Sequence, residues 1–164
     1  MPGTNAKMNE MQALMGSMLL QHIDNITEKS KQIAALYREK LGDVRGIRLP
    51  PELPKDVRYN YVYMPVEVDE KEFGMSRDQL YEELKKYNIY SRRYFYPLVC
   101  DFACYNSIAF KDPLTVARKV AERILTLPIY YDLLLDDVQR ICDIIIAIGS
   151  KEKKHQSSEL TGRA

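Results

Sequence analysis

An apolar segment near the N-terminus constrains the fold of this chain more than any other feature. Apolar side chains recur there with the spacing of a helix face, at Met11, Leu14, Met15 and Met18. Further apolar residues widen that face beyond a single stripe, namely Met8, Ala13, Leu19 and Leu20. A helix that is apolar on most sides has to be buried on most sides. Since a small domain rarely encloses its own terminal helix, we predict that this helix packs against protein outside the 164 residues.

Capping residues and hydrophobic periods predict the order helix, helix, strand, strand, helix, strand, helix, strand, helix. Asn9 with Gln12, and Ser76 with Gln79, have the spacing of capping boxes at helix starts. The other predicted boundaries are a second helix from Asp24 or Asn25 to a cap at Gly42, strands over 47–49, 59–68, 89–96 and 125–130, a helix with Pro113 in its first turn, and a last helix over 136–148. This order predicts a two-layer α+β fold with helices on one face of a small sheet.

The composition is that of an ordinary globular protein, with 46% hydrophobic and 29% charged residues. We divide the chain into N-terminal helices over residues 1–42, a small α+β domain over residues 43–149 and a polar, disordered tail over residues 150–164. The 24 basic and 23 acidic residues nearly cancel, which argues against nucleic acid or an anionic membrane as a partner. We expect a cytoplasmic protein, because no apolar run approaches the roughly 20 residues of a membrane-spanning helix and no signal segment is recognisable.

Cysteine and histidine usage gives no sign of a metal or catalytic centre. Cys100, Cys104 and Cys142 are too few and odd in number for a disulfide framework, so we expect reduced thiols. Cys100 and Cys104 are too sparse for a zinc site, with only His22 and His155 as histidines elsewhere, so we expect no metal site. Neither a nucleophile with its base nor a glycine-rich phosphate loop is recognisable, so spacing alone indicates no catalytic unit.

Two segments contain polar and aromatic residues in patterns that are not required for the fold alone. The run from Gly3 to Met8 holds Asn5 and Lys7 just before the apolar helix, where they could meet an anion; a frayed leader with a helix cap explains the same residues. The run from Arg92 to Leu98 places two adjacent arginines before alternating aromatic residues. Such a segment could clamp a phosphate and stack on a base or sugar, or it could be an ordinary strand with a solvated arginine and a core tyrosine.

These segments resemble a known family. The pattern Gly3-x-Asn5-x-Lys7-Met8-x-Glu10-Met11-Gln12-Ala13 is similar to the signature of the DegT/DnrJ/StrS-type sugar aminotransferases. The resemblance extends through Arg92-Arg93-Tyr94-Phe95-Tyr96-Pro97-Leu98 and through the run over residues 121–130, and it covers residues 3–148. Members of this family use pyridoxal 5'-phosphate (PLP) to aminate nucleotide-linked keto sugars.

The resemblance implies a fold and a set of roles. The chain corresponds to the small C-terminal domain of a fold-type I PLP enzyme, preceded by a long helical segment. The large PLP domain, with the Schiff-base lysine, has no match here, so we expect no catalytic residue in this chain and no activity from it alone. In the homodimer of the complete enzyme, Asn5 would contact the PLP phosphate of the neighbouring subunit. The residues expected to bind substrate are Lys7, Arg92, Arg93, Tyr94 and Tyr96.

The form of the aromatic segment implies a dTDP-linked 4-keto-6-deoxy sugar as substrate. Glutamate is the expected amino donor, and surface polysaccharide or O-antigen biosynthesis is the expected role. Other interpretations stay open. The chain could be one subunit of a working two-chain enzyme, or a free-standing, non-catalytic α+β module that binds a ligand or a partner.

Overall fold

The sheet at the centre of the protein has four antiparallel strands. The computed structural model describes residues 7–54, 56–105 and 112–161. The strands are β1 (Ile47–Arg48), β2 (Met64–Val68), β3 (Arg92–Arg93) and β4 (Ile124–Leu127). Their order across the sheet is β1–β2–β4–β3. Val66 of β2 lies opposite Leu125 of β4, and Arg92 of β3 lies opposite Thr126. The two longest strands therefore form the middle of the sheet, and β3 lies at one edge.

Helices flank the sheet along the chain. They are α1 (Glu10–Leu20), α2 (Ile23–Leu41), α3 (Glu70–Phe73), α4 (Arg77–Lys86), α5 (Thr115–Arg123) and α6 (Leu135–Thr161). Short 3-10 turns at Val99–Asp101 and Ala103–Tyr105 follow β3. The α+β class predicted from the sequence is confirmed, as is the order of its main elements. In the part of the chain that the structure describes, no helix has the length and apolar character that a membrane span requires.

One core joins the sheet to four of the helices, α2, α3, α4 and α6. Alternate residues of β2 are buried, at Met64, Val66 and Val68, as a strand with one face in the core requires. The largest fully buried side chains include Tyr37 and Leu41 of α2, Leu80 and Leu84 of α4, and Val138 and Ile145 of α6. The Tyr37 hydroxyl, buried with its ring, donates to the carbonyl oxygen of Pro128 at 3.0 Å. This bond ties α2 to the segment that follows β4.

Both predicted capping boxes are present. Asn9 Oδ1 accepts from the Gln12 backbone N–H at 2.9 Å, and Gln12 Oε1 accepts from the Asn9 N–H at 3.0 Å. Ser76 and Gln79 make the same reciprocal pair at the start of α4. Gly42 is the C-cap of α2, also as predicted. Capping residues close by in the sequence therefore mark where these helices begin or end.

Replacing the cap of α4 tests this local control. Ser76→Ala removes the acceptor for the Gln79 N–H, and we expect a loss of about 1 kcal/mol in the free energy of unfolding. Ser76→Asp keeps an acceptor at the cap and should retain most of the wild-type value. Chemical denaturation followed by circular dichroism measures both. Equal losses in the two variants would show that the side-chain oxygen does not stabilise the helix.

Several predicted boundaries are wrong. α2 begins at Ile23, with His22 as an N-cap that makes no side-chain hydrogen bond, rather than at Asp24 or Asn25. Pro113 precedes the N-cap of α5, Leu114, instead of lying in the first turn. The strands predicted over 59–68 and 89–96 shrink to β2 and β3. Tyr61 and Phe95 account for part of the shortening, because their positive φ angles of 50° and 45° interrupt the extended chain before β2 and after β3.

The last helix is longer than predicted. α6 continues past Ile148 to Thr161, so residues 150–161 of the expected polar tail are helical. Gly149 lies inside this helix, and its missing side chain leaves room for the Phe73 ring. A Cβ at Gly149 would lie 2.7 Å from Cε2 of that ring. The glycine therefore serves close packing and does not end the helix.

Candidate functional site

Two irregular segments meet beside the sheet and bring aromatic rings together. Tyr63 immediately precedes β2, and Tyr94 and Phe95 immediately follow β3. The ring centroids of Tyr63 and Tyr94 are 5.0 Å apart, those of Tyr94 and Phe95 4.3 Å, and those of Tyr63 and Phe95 6.5 Å. We call Tyr63, Tyr94 and Phe95 the aromatic cluster. Phe95 remains 66% exposed, so the cluster is accessible from solvent.

The backbone at this cluster is strained. Tyr61 and Phe95 both have positive φ angles, in the left-handed region that bulky residues seldom adopt. Such conformations cost on the order of 1–3 kcal/mol each and are found most often at ligand-binding sites. Burial raises the pKa of Tyr94, and the neighbouring Tyr59 and Tyr63 add to that rise. The Tyr94 hydroxyl therefore stays protonated and can act as a hydrogen-bond donor.

A cavity of about 600 Å³ adjoins the aromatic cluster. One wall is α2, at Ala34, Ala35 and Arg38, and the opposite wall is the proline-rich segment that leads to Tyr63. The Arg38 guanidinium is engaged there, because its Nη1 donates to the Pro50 carbonyl oxygen at 2.7 Å. Arg38 therefore links the two sides of the cavity, whose lining is mostly apolar.

The adjacent arginines of β3 have different surroundings. Arg92 is exposed, and no ion pair is described for it among the residues that the structure covers. Arg93 is partly buried; its Nε lies 2.9 Å from Asp78 Oδ1, and its guanidinium carbon lies 4.8 Å from the Tyr81 ring centroid and 5.5 Å from that of Tyr96. Arg92 is therefore open to a ligand, whereas Arg93 is held by other side chains.

Sequence reasoning missed Arg77. Its side chain is only 1% exposed, its Nη1 donates to the Ile124 carbonyl oxygen at 2.8 Å, and its guanidinium carbon lies 5.0 Å from the Tyr96 ring centroid. An arginine in the first turn of an amphipathic helix is normally read as solvated. The nearby Ser76 cap could have placed Arg77 at the first helical position, but it gives no sign of burial.

The structure places the predicted site residues in different regions. Arg92, Arg93, Tyr94 and Tyr96 lie together at the end of β3. Lys7 is exposed just before α1, and none of the hydrogen bonds or ion pairs described links it to that segment. Asn5 lies outside the described residues. Of the first segment's candidate residues only Lys7 is described, and it does not join the Arg92–Tyr96 segment in one site.

The apolar helix has an open surface. No residue of α1, every one of which the structure describes, is buried. Met11 is 68% exposed and Leu14 is 56% exposed, and the other large apolar side chains of α1 are exposed to a similar extent. The apolar face of α1 is therefore not enclosed by the described part of the chain.

The described residues do not by themselves fit a PLP-holding centre. None of the lysines whose side chains the structure describes, which lie between Lys7 and Lys151, is buried, and Lys85 and Lys86 pair with Glu82 and Glu83. A lysine that anchors PLP needs an enclosed amine that can be deprotonated. Cys142 offers no alternative nucleophile, because burial raises the pKa of its thiol to about 12. No cluster of potential metal ligands occurs among the described residues.

Known proteins are similar to this chain in sequence. Residues 1–146 match the DegT/DnrJ/EryC1/StrS aminotransferase family. A dTDP-4-amino-4,6-dideoxy-D-glucose transaminase of Escherichia coli is 42% identical over 147 residues, which are 88% of this chain and 39% of that protein. A protein of the same name from Shigella dysenteriae is 35% identical over 143 residues, which are 87% of this chain and 38% of that protein.

A solved structure also resembles this chain in its fold. DesI, in a crystal structure determined in the presence of its TDP-sugar product, superposes with a TM-score of 0.83 at 29% identity, over 96% of this chain and 40% of DesI. The chain thus spans about two fifths of the length of these relatives. The matched residues include the start of α1, the Arg92–Tyr96 segment and the sheet. On this evidence, the chain belongs to the DegT/DnrJ/EryC1/StrS aminotransferase family.

Proposed function

We propose that this chain is the C-terminal portion of a PLP-dependent aminotransferase that converts a dTDP-linked 4-keto-6-deoxy sugar into an amino sugar. The observation that carries the proposal is the end of β3, where the exposed Arg92 adjoins the aromatic cluster. A nucleotide sugar offers the matching chemistry, namely a diphosphate, a base and a sugar ring. The relatives named as dTDP-aminosugar transaminases support this choice of substrate.

Each side chain of the site has a separate task in this proposal. Arg92 pairs with the diphosphate through a pair of charge-assisted, bidentate hydrogen bonds. The aromatic cluster stacks on the base or the sugar and excludes water from one side of it. Tyr94, whose raised pKa keeps its hydroxyl protonated, donates to an oxygen of the substrate. Tyr96 packs under this segment, with its ring close to both Arg77 and Arg93.

The amination itself requires protein that the described residues do not provide. When bound, PLP supplies the group that carries the amine from the donor, for which we propose glutamate. We further propose that Asn5 contacts the PLP phosphate of the neighbouring subunit of a homodimer and that Lys7 lies near the substrate phosphates. α1 would pack on the large PLP domain and on the dimer partner. A cytoplasmic location and a role in surface polysaccharide or O-antigen synthesis complete the proposal.

Co-expression tests this function. The chain alone, with PLP, glutamate and a dTDP-4-keto-6-deoxy sugar, should form no amino sugar. Together with the remaining portion of the Escherichia coli relative, outside the 147 matched residues, it should form amino sugar. Turnover by the chain alone would contradict the assignment of the cofactor site to other protein.

Arg92→Ala tests the substrate contact in that two-part enzyme. Loss of the charge-assisted contact should raise KM for the nucleotide sugar by about tenfold and leave KM for glutamate unchanged. Arg45→Ala removes another exposed arginine, in the turn between α2 and β1, and should change neither value. An equal effect of both variants would mean that Arg92 has no specific role in binding.

A free-standing interaction module is the second candidate, and the exposed apolar face of α1 favours it. Under this alternative, the chain would form no complex with the large-domain portion and would give no turnover with it. Binding of dTDP to the chain would then have to be tested by itself.

A further inference from the structure

We infer that Asp78 is a positioning residue that holds the Arg92–Tyr96 segment against α4 by pairing with Arg77 and Arg93 together. This inference deepens the proposed function, on which its link to nucleotide-sugar binding rests. Asp78 is the second residue of α4, and the Ser76 capping box fixes the helix start on which it lies. The capped helix thus gives the carboxylate a defined position opposite the end of β3.

The contacts of Asp78 bridge two separate elements. Its Oδ1 lies 2.8 Å from Arg77 Nε and 2.9 Å from Arg93 Nε. Both contacts are ion pairs by distance, since neither Nε–H points at the oxygen closely enough for a hydrogen bond. A single carboxylate between two guanidinium groups reduces the repulsion that would otherwise push the segment away from the helix. Although the Asp78 side chain is half exposed, both of its partners are less exposed than it is.

Aromatic rings complete the attachment. Tyr96 has the Arg77 guanidinium at 5.0 Å and the Arg93 guanidinium at 5.5 Å from its ring centroid. Tyr81, one turn further along α4, takes the Arg93 guanidinium at 4.8 Å. Cation–ring contacts of this kind are stabilising, and more so the further the two groups are desolvated. The Arg92–Tyr96 segment is therefore attached to α4 by ionic and aromatic contacts outside the sheet.

This arrangement separates the roles of the two adjacent arginines. Arg93 is held by Asp78, Tyr81 and Tyr96, whereas Arg92 faces solvent from the neighbouring position of the strand. Successive strand residues point to opposite faces, so fixing Arg93 also fixes the direction of Arg92. Asp78 would thereby set the position of the phosphate-binding guanidinium without touching the substrate.

Limited trypsin digestion tests the attachment on the chain itself. Asp78→Asn should speed cleavage after Arg92 and Arg93 by about tenfold, because the segment opens locally more often. Asp136→Asn is the matched control, since it also removes an exposed carboxylate from the first turn of a helix. Cleavage after Arg140, followed by mass spectrometry in the same samples, reports any general loss of stability. Unchanged cleavage after Arg92 and Arg93 in Asp78→Asn would overturn the inference.

Kinetics of the co-expressed two-part enzyme separate positioning from simple stabilisation. Asp78→Asn should raise KM for the nucleotide sugar by about tenfold with kcat unchanged, and Asp78→Glu should restore part of the loss. Faster trypsin cleavage with an unaltered KM would overturn the positioning role. If the unsubstituted two-part enzyme is inactive, the proposed function fails, and the trypsin comparison still decides whether Asp78 holds the segment.

Discussion

We expect the isolated chain to self-associate through α1, and Met11→Gln, Leu14→Gln and Met18→Gln together to convert it to a 19.1 kDa monomer. These side chains are 68%, 56% and 54% exposed and lie along one side of the helix. Monomeric proteins rarely expose contiguous apolar patches larger than a few hundred Å². Glutamine favours helices nearly as well as methionine, so the substitutions should remove the patch and leave α1 intact.

Size-exclusion chromatography with light scattering measures this change. Val99→Gln, Val116→Gln and Leu134→Gln together form the control, because these side chains are 62%, 77% and 63% exposed but do not lie on α1. The control variant should associate as the wild type does. A monomeric wild type with α1 protected from hydrogen exchange would show that the helix folds onto its own chain, and the proposed role of α1 would be wrong.

Phe73→Ala should cost about 3–5 kcal/mol in the free energy of unfolding, enough to threaten folding of a small domain. Phe73 is fully buried at the end of α3, and its ring fills the space left by Gly149 of α6. Its backbone is equally constrained, because a Cβ at Gly46 would lie 2.3 Å from the Phe73 nitrogen. Denaturant titration measures the loss. Phe102→Ala, at a 44% exposed ring, is the control and should cost much less.

A double-mutant cycle identifies the contact responsible. Gly149→Ala alone should cost about 1–3 kcal/mol, because its Cβ would overlap the Phe73 ring. In the Phe73→Ala background the same substitution should cost much less, since the ring is gone. Additive losses in the double variant would mean that Gly149 and Phe73 do not share this space.

Local chemistry made much of the fold predictable. The Asn9 and Ser76 caps depend on residues three positions apart, so sequence alone could place them. The strand ends depended on tertiary structure instead. Tyr61 and Phe95 have strand-forming side chains, yet their φ angles break the extended chain where the two aromatic segments pack together. Propensity could not anticipate that competition, because its cause lies in residues far apart in sequence.

The candidate site was predictable in composition and only partly in arrangement. The adjacent Arg92 and Arg93 and their aromatic neighbours were found from the sequence, but it could not distinguish the exposed arginine from the one held by Asp78. Arg77 was missed because its burial depends on Tyr96 and on the carbonyl group of Ile124, both remote in sequence. Pairwise contacts of this kind become visible only once the strand and the helix are placed together.

The position of β3 at the sheet edge has a consequence for where the chain can be lengthened. Its ladder with β4 comprises only two residue pairs, Arg92 with Thr126 and Arg93 with Leu125. The residues that follow β3 leave the core without passing between other strands. None of the described residues between Tyr96 and the start of α5 is buried, so an insertion in that stretch would lengthen the border of the domain and leave the hydrophobic interior undisturbed.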